Sequence, residues 1–175
     1  MVIDPVMVCK GEDEVLNPGN TDAMIEKLLP FATVTTPNLF EAGQLAGMKT
    51  PKTIDEMKEA ARIIHAHGAK AVVIKGGKAL ATEKATDLLF DGEKMYLLES
   101  DKIDSHFNHG AGCTFAAAIT ANLANGKSIT EAIIAAKGFV ATAIAHGWRL
   151  NEYVGPVMHG AANRFEPVQV TVTEC

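Results

Sequence analysis

One short stretch of the sequence offers the clearest chemistry, residues 108–115 with the order Asn-His-Gly-Ala-Gly-Cys-Thr-Phe, and an alanine-rich segment follows it. Gly110 and Gly112 allow a tight turn and a close approach of the backbone to a ligand. If a helix begins here, its first N–H groups have no partner within the helix, and together with the helix dipole they favour an anion such as phosphate. The alternative is an ordinary loop before a helix, because a lone Gly-x-Gly is a weak motif.

Cys113 stands at the start of the same predicted helix. The positive end of a helix dipole favours the thiolate, which is the reactive form of cysteine. The alternative is a small buried apolar residue, which is the commoner fate of a free cysteine. The other two cysteines, Cys9 and Cys175, are widely spaced along the chain. The three therefore form neither a disulfide framework nor a zinc pattern, and they suit a reducing cytoplasm.

Polar residues also follow a predicted strand or begin a predicted helix nearer the start of the chain. Asp4 comes directly after Val2-Ile3, a position where open α/β sheets place functional groups, although a turn residue before Pro5 is an equal alternative. Asn38 and Glu41 lie three residues apart, so their side chains share one face of a first helical turn. Taken alone, that pair is better explained as a helix cap.

Two lysines complete the set of candidates. Lys75 ends an apolar run and is followed by Gly76 and Gly77, so that it could reach an anion beside the glycines. A solvated lysine is an equal alternative. Lys137 lies in an alanine-rich segment whose small residues permit the close approach of a neighbour or a ligand. Packing of a helix on a sheet is the better explanation of that segment.

The composition limits the classes of function. The chain has 175 residues, which favours one domain, and 47% of them are hydrophobic. Its net charge is −5, and no basic cluster stands out, which argues against a nucleic-acid partner. No apolar run reaches the roughly 18 residues of a membrane span. An anionic ligand would have to be held locally, by amides, a lysine or a metal.

The pattern of apolar residues predicts an α/β fold with a mostly parallel sheet. Helices alternate with strands such as 71–77, whose continuous apolar run indicates a strand covered on both faces. Asp91-Gly92 predicts a hairpin turn between two further strands, and the alternation in 168–172 predicts a strand that could pair with a sheet edge. Four groups of candidates follow strands or begin helices, so we expect them on one rim of the sheet. They are Asp4, Asn38 with Glu41, Lys75 with Gly76 and Gly77, and residues 110–113.

Four segments carry a resemblance to a known family: Val-Ile-Asp-Pro-Val-Met at 2–7, Thr-Pro-Asn-Leu-Phe-Glu-Ala at 36–42, Val-Ile-Lys-Gly-Gly at 73–77 and His-Gly-Ala-Gly-Cys-Thr-Phe at 109–115. In order and spacing, from residue 2 to about Phe165, the chain resembles the ribokinase-like vitamin kinases. It is most similar to the hydroxymethylpyrimidine (phosphate) kinases and the dual-cysteine pyridoxal kinases of bacteria, with Cys9 and Cys113 as the two cysteines.

The resemblance implies a ribokinase-like three-layer fold and a role for each candidate residue. Gly110, Ala111 and Gly112 would form the anion hole for the transferred phosphoryl group. Cys113 would accept the proton of the substrate hydroxyl and could add to the aldehyde of pyridoxal, with Cys9 nearby as its partner. The implied ligands of Mg²⁺, directly or through water, are Asp4 and Glu41. The resemblance also implies contacts of Asn38 and Lys75 with the ATP phosphates, a contact of Gly77 with ATP, and a position of Lys137 near the adenine.

The implied activity is ATP-dependent phosphoryl transfer to the hydroxymethyl group of a B6 vitamer. The alternatives are a hydroxymethylpyrimidine or phosphomethylpyrimidine kinase of thiamine biosynthesis, and a nucleotide-binding module without catalysis. Members of the family begin with an N-terminal part that is absent here. We therefore expect residues 1–175 to be a single domain, the C-terminal, nucleotide-binding portion of such a kinase, inactive alone. The expected partners are ATP, a small pyridine or pyrimidine vitamin and a second copy in a homodimer, in the cytoplasm.

Overall fold

A single six-stranded sheet organises the computed structural model, which describes residues 1–7 and 18–175. The strands lie in the sheet in the same order as in the chain. Their bounds are β1 Val2–Ile3, β2 Val34–Thr35, β3 Val72–Gly77, β4 Ala85–Phe90, β5 Met95–Ser100 and β6 Thr171–Glu174. Parallel pairing joins β1, β2 and β3, and antiparallel pairing joins β3 through β6. The sheet is therefore mixed: the predicted parallel arrangement holds for the strands that carry the candidate residues, whereas β4, β5 and β6 join it in antiparallel pairing.

Helices cover both faces of this sheet and make three layers. The helices are α1 Pro18–Lys27, α2 Leu39–Ala46, α3 Ile54–Ala66, α4 Ala111–Ala124 and α5 Ile129–Ala145. Val72 and Ile74 of β3 pack toward α1, α2 and α3, while Val73 packs toward α4 and α5. Because neighbouring strand residues point to opposite faces, a strand that is apolar at successive positions serves both cores. The predicted three-layer α/β fold is therefore present.

The antiparallel part of the sheet follows the hairpin signal. β4 and β5 form one hairpin, in which Ala85 lies opposite Ser100 and Phe90 lies opposite Met95. Asp91 and Gly92 lie in the turn between them. The predicted edge strand at 168–172 forms three residues later, as β6, and pairs with β5. Within the described segments, no helix is both long and apolar enough to cross a bilayer.

Candidate active site

The ends of the three parallel strands bring Asp4, Thr36 and Lys75 together. The Lys75 ammonium donates to Asp4 Oδ1 at 2.8 Å, and the Thr36 hydroxyl donates to the same oxygen at 2.9 Å. The side chains of Lys75 and Asp4 are 20% and 15% exposed, so the pair is largely shielded but reachable from solvent. The rim predicted from the strand pattern therefore exists, with one cation and one anion at its centre.

A β-bulge in β3 aims Lys75 at this rim. Ile74 lies opposite Leu88 and Gly77 opposite Thr86, so β3 carries one residue more than β4 over this interval. Bulges of this kind redirect the side chain that they contain. A Cβ on Gly76 would lie 2.5 Å from the carbonyl oxygen of Thr86, so only glycine fits there. The Gly76-Gly77 pair is thus a requirement of the bulge as well as a candidate contact for a ligand.

The glycine stretch forms the expected turn into a helix. Gly110 is the residue before α4 and has φ 82°, a left-handed conformation that favours glycine. The N–H of Ala111 donates to the carbonyl of Asn108, and that of Thr114 donates to Gly110. In the described part of the chain, the N–H groups of Gly112 and Cys113 donate no hydrogen bond, which leaves two first-turn amides for an anion.

A segment beyond α5 holds this turn in place. The N–H of His109 donates to the carbonyl of Gly155 at 3.0 Å, and the N–H of Val157 donates back to His109 at 3.2 Å. Phe107 packs so closely against Gly155 that a Cβ there would lie 2.1 Å from its ring. The turn is therefore clamped by a packed and hydrogen-bonded neighbour before α4 begins.

Lys75 and the start of α4 face each other. An ideal Cβ on Gly112 would lie 3.8 Å from Lys75 Nζ. Both residues line one cavity of about 260 Å³, together with Gly77, Asn108 and apolar residues of α5. A phosphate in this space would meet the ammonium and the amides at the same time. Residues 110–113 are half-buried or exposed and lie beside the end of β3, so an anion could reach them.

Cys113 lies on the other side of this loop. It is exposed and lines a separate, wider groove of about 680 Å³ with Ala117, Phe139 and His159. The ring of His159 makes a hydrogen bond through Nε2 with the Thr114 hydroxyl, at 3.0 Å. The first turn of α4 thus divides a cavity on the Lys75 side from a groove on the thiol side.

Asn38 and Glu41 form the helix cap that was the better explanation of their spacing. The N–H of Glu41 donates to the Asn38 side chain, and the N–H of Asn38 donates to Glu41 Oε2 at 2.7 Å. Glu41 is 3% exposed, and its other oxygen accepts the N–H of Met7 at 3.2 Å. Glu41 therefore also ties the segment after Asp4 to the start of α2.

The carboxylates fit a metal ion only as supporting groups. Among residues 1–7 and 18–175, no three His, Cys, Asp or Glu side chains gather at one point. Both oxygens of Glu41 already accept backbone N–H groups, and Asp4 accepts two donors. Mg²⁺ usually takes one or two carboxylates with waters and substrate phosphates, which this rim could supply. The metal role of both residues stays a prediction.

Lys137 has a partner that the sequence analysis missed. Its ammonium donates to Asp87 Oδ2 at 2.6 Å, and the two side chains are each 8% exposed. Both line the cavity beside Lys75. A carboxylate inside a buried strand was the available signal for Asp87, because such residues are almost always paired. The expected contact of Lys137 with adenine stays a prediction, and Cys9 lies outside the described residues.

Comparison with known proteins identifies the family. A family model described as phosphomethylpyrimidine kinase matches residues 1–158. The chain is 58% identical over 161 residues to the pyridoxine kinase of Bacillus subtilis, covering 92% of this chain and 59% of that protein. It is 44% identical over 160 residues to the hydroxymethylpyrimidine/phosphomethylpyrimidine kinase of Rhizobium meliloti, covering 90% of this chain and 60% of that protein.

Solved structures show the same fold. The pyridoxal kinase from Staphylococcus aureus in complex with ADP has a TM-score of 0.95 and 62% identity, covering 99% of this chain and 63% of that chain. Its complex with AMP-PCP and pyridoxal has a TM-score of 0.93 and 59% identity, covering 99% of this chain and 62% of that chain. The resemblance was expected to end at about Phe165. The family model ends at residue 158, whereas the match to the S. aureus structure covers 99% of this chain and so extends into the tail.

The extent of the match is itself a finding. The chain spans less than two thirds of the length of these relatives, 63% of the S. aureus kinase and 59% of the B. subtilis kinase. The matched part contains the rim, the bulge and the glycine turn described above. The family model covers most of the chain, and the ribokinase-like fold expected from the sequence is confirmed. The chain belongs to the phosphomethylpyrimidine kinase family.

Proposed function

We propose that this chain is the nucleotide-binding portion of a kinase that transfers the γ-phosphoryl group of ATP to the hydroxymethyl group of a B6 vitamer. The observation that carries the proposal is the approach of Lys75 to Gly112, which places an ammonium group opposite two first-turn amides of α4 that donate no hydrogen bond to any described residue. The S. aureus kinase binds ADP, AMP-PCP and pyridoxal. The relatives at 58–62% identity are pyridoxine and pyridoxal kinases, which favours that substrate class here.

The donor side of the reaction uses fixed charge and fixed amides. Lys75 neutralises phosphate oxygens, and the N–H groups of Gly112 and Cys113 donate to the group in transfer. Phosphoryl transfer depends mainly on such positioning and electrostatic stabilisation. The apolar residues Val140, Ala141 and Ile144 line the same cavity and offer a surface for the base. Bound Mg²⁺ would add charge neutralisation at the phosphates, with Asp4 and Glu41 held close to them.

The acceptor side is the groove that Cys113 lines. The hydroxymethyl oxygen forms a bond to the γ-phosphorus while the bond from that phosphorus to the β,γ-bridging oxygen breaks, and ADP leaves. The sulfur of Cys113 serves as the base that accepts the hydroxyl proton. Because the amides of the first turn of α4 lie between cavity and groove, they can contact the phosphoryl group throughout the transfer. This division of the two sides supports transfer across the turn.

Turnover by the 175-residue chain is the test of this proposal. We expect it to bind Mg·ADP in a calorimetric titration but to show little or no phosphorylation of pyridoxal, because it spans only 63% of the S. aureus kinase. Joined to the remaining part of that kinase, it should phosphorylate pyridoxal. Absence of ADP binding would contradict the nucleotide site. A rate like that of an intact kinase from the chain alone would contradict its incompleteness.

A hydroxymethylpyrimidine kinase is the second candidate, favoured by the family description and by the 44% identity to the R. meliloti enzyme. The two reactions use the same donor side and differ in the ring that carries the hydroxymethyl group. The fused protein separates them directly: faster turnover of hydroxymethylpyrimidine than of pyridoxal would favour this candidate. Homodimer formation and a cytoplasmic location stay predictions.

Asn38 offers a way to separate a ligand contact from a helix cap. Both Asn38→Ala and Thr53→Ala remove the cap of a complete capping box, on α2 and α3 respectively. Each should lower the free energy of unfolding by about 1 kcal/mol. If Asn38 contacts the phosphates, only Asn38→Ala weakens Mg·ADP binding in calorimetry, by about fivefold to tenfold, as expected for one lost hydrogen bond. Equal ADP affinity in the two variants would show that Asn38 acts only as a helix cap.

A further inference from the structure

The buried pair of Asp87 and Lys137 lies directly against the bulge that aims Lys75. Asp87 lies in β4, beside the interval in which β3 has its extra residue, and Lys137 reaches it from α5. The Lys137 ammonium also donates to the carbonyl of Ala85 at 3.1 Å. The ammonium group of Lys137 thus donates hydrogen bonds to two oxygens of β4.

Asp87 in turn holds the backbone of the bulge. Its Oδ1 accepts the N–H of Gly77 at 2.9 Å, while its Oδ2 receives Lys137. Gly77 has φ 49°, and the neighbouring Gly76 has no room for a side chain. An extra strand residue disrupts the regular ladder of hydrogen bonds, so a side-chain acceptor is needed at this point. Asp87 is that acceptor.

We propose that Asp87, with its charge balanced by Lys137, is a positioning residue that holds the β3 bulge so that Lys75 points at Gly112. The inference rests on the nucleotide role proposed for Lys75 and names Asp87 as the residue that keeps Lys75 in position for that role. A buried carboxylate needs a partner to remain ionised, which explains why the lysine accompanies it. Lys137 then acts through Asp87, and the proposal does not require it to contact the nucleotide directly.

Two charge-free double variants separate the hydrogen bond from the ion pair. Asp87→Asn/Lys137→Met keeps an oxygen that can accept the Gly77 N–H, whereas Asp87→Leu/Lys137→Met has a side chain of similar size without an acceptor. Both lose the lysine and its bond to Ala85, so that loss is common to the comparison. Each is measured for amide exchange at Gly77 by NMR, for Mg·ADP affinity and for the thermal midpoint.

We expect the variant without an acceptor to exchange at Gly77 at least about tenfold faster than the asparagine variant, and to bind Mg·ADP about tenfold more weakly. Both should remain folded at 25 °C. Equal exchange and equal affinity in the two would overturn the proposal. If the leucine variant does not fold, Asp87→Val/Lys137→Met replaces it. Failure of both variants to fold would also overturn the proposal, because the hydrogen bond from Gly77 to residue 87 would then be a general requirement of the fold.

The unsubstituted chain distinguishes the two proposals. If it fails to bind Mg·ADP, the proposed function fails, and the exchange at Gly77 still reports on the bulge. If it binds, and the two double variants differ in exchange but not in affinity, Asp87 holds the bulge without positioning Lys75 for the nucleotide, which overturns the inference alone.

Discussion

Replacing Lys75 with methionine is expected to weaken Mg·ADP binding by roughly a hundredfold, because truncating one partner of a shielded charge pair across a binding interface, here the ammonium and the phosphates, costs about 2–5 kcal/mol. The substitution removes the ammonium that lies 2.8 Å from Asp4 and faces Gly112. Isothermal titration calorimetry measures the effect. In the fused protein described above, the same change should lower kcat, since the lost charge also stabilises the group in transfer.

Two controls accompany Lys75→Met. Lys94→Met removes an ion pair with a similar distance, 2.9 Å between the Lys94 ammonium and Glu174, at the other end of the sheet. This variant should leave the affinity for ADP unchanged. Asp4→Asn/Lys75→Met removes the carboxylate charge that the single variant leaves without a partner. If the double variant recovered full affinity, the loss would come from the unpaired Asp4, and the direct role of Lys75 at the phosphates would be wrong.

Gly112→Ala is expected to move stability and binding in opposite directions. Gly112 lies in the first turn of α4, and a Cβ there would make only ordinary contact, at 3.8 Å from Lys75 Nζ. Alanine is favoured over glycine in a helix by about 0.5–1 kcal/mol, so the thermal midpoint should rise. The methyl group would occupy the space between ammonium and amides, and we expect ADP affinity to fall about a hundredfold, the scale of one lost oxyanion donor.

Gly138→Ala is the matched control, because Gly138 is also a helical glycine with room for a methyl group. Its Cβ would lie 3.6 Å from Val168 and Val170, away from the cavity. It should stabilise α5 by a similar amount and leave ADP affinity unchanged. A more stable Gly112→Ala variant with undiminished affinity would show that phosphate does not approach the start of α4.

Local patterns predicted the parts of the site that depend on short stretches of sequence. The turn at Gly110 and the helix that follows it are consequences of glycine and alanine in neighbouring positions. The contact of Asp4 with Lys75 joins residues 71 positions apart, yet it was predictable because both follow parallel strands, whose ends share one rim. The family resemblance added the roles but not the contacts.

Long-range partners without a local signature could not be predicted. Asp87 and Lys137 are 50 positions apart on a strand and a helix, and no rule of spacing links them. The bulge at Gly76 and Gly77 was not predicted from the sequence, because the register of β3 against β4 is decided by packing on both faces. The two oxygens of Glu41 are occupied for a similar reason, since one of them accepts Met7 from another part of the chain.

The most direct test of the nucleotide site is an NMR titration of the ¹⁵N-labelled chain with Mg·ADP, which follows each backbone amide separately. If the chain binds phosphate as we propose, the amides of Gly112 and Cys113 should shift most, together with those of Lys75 and Gly77. Lys75→Met should move the same response to a roughly hundredfold higher nucleotide concentration. Saturable shifts confined to another surface, or no shift at millimolar nucleotide, would contradict a phosphate site at the start of α4.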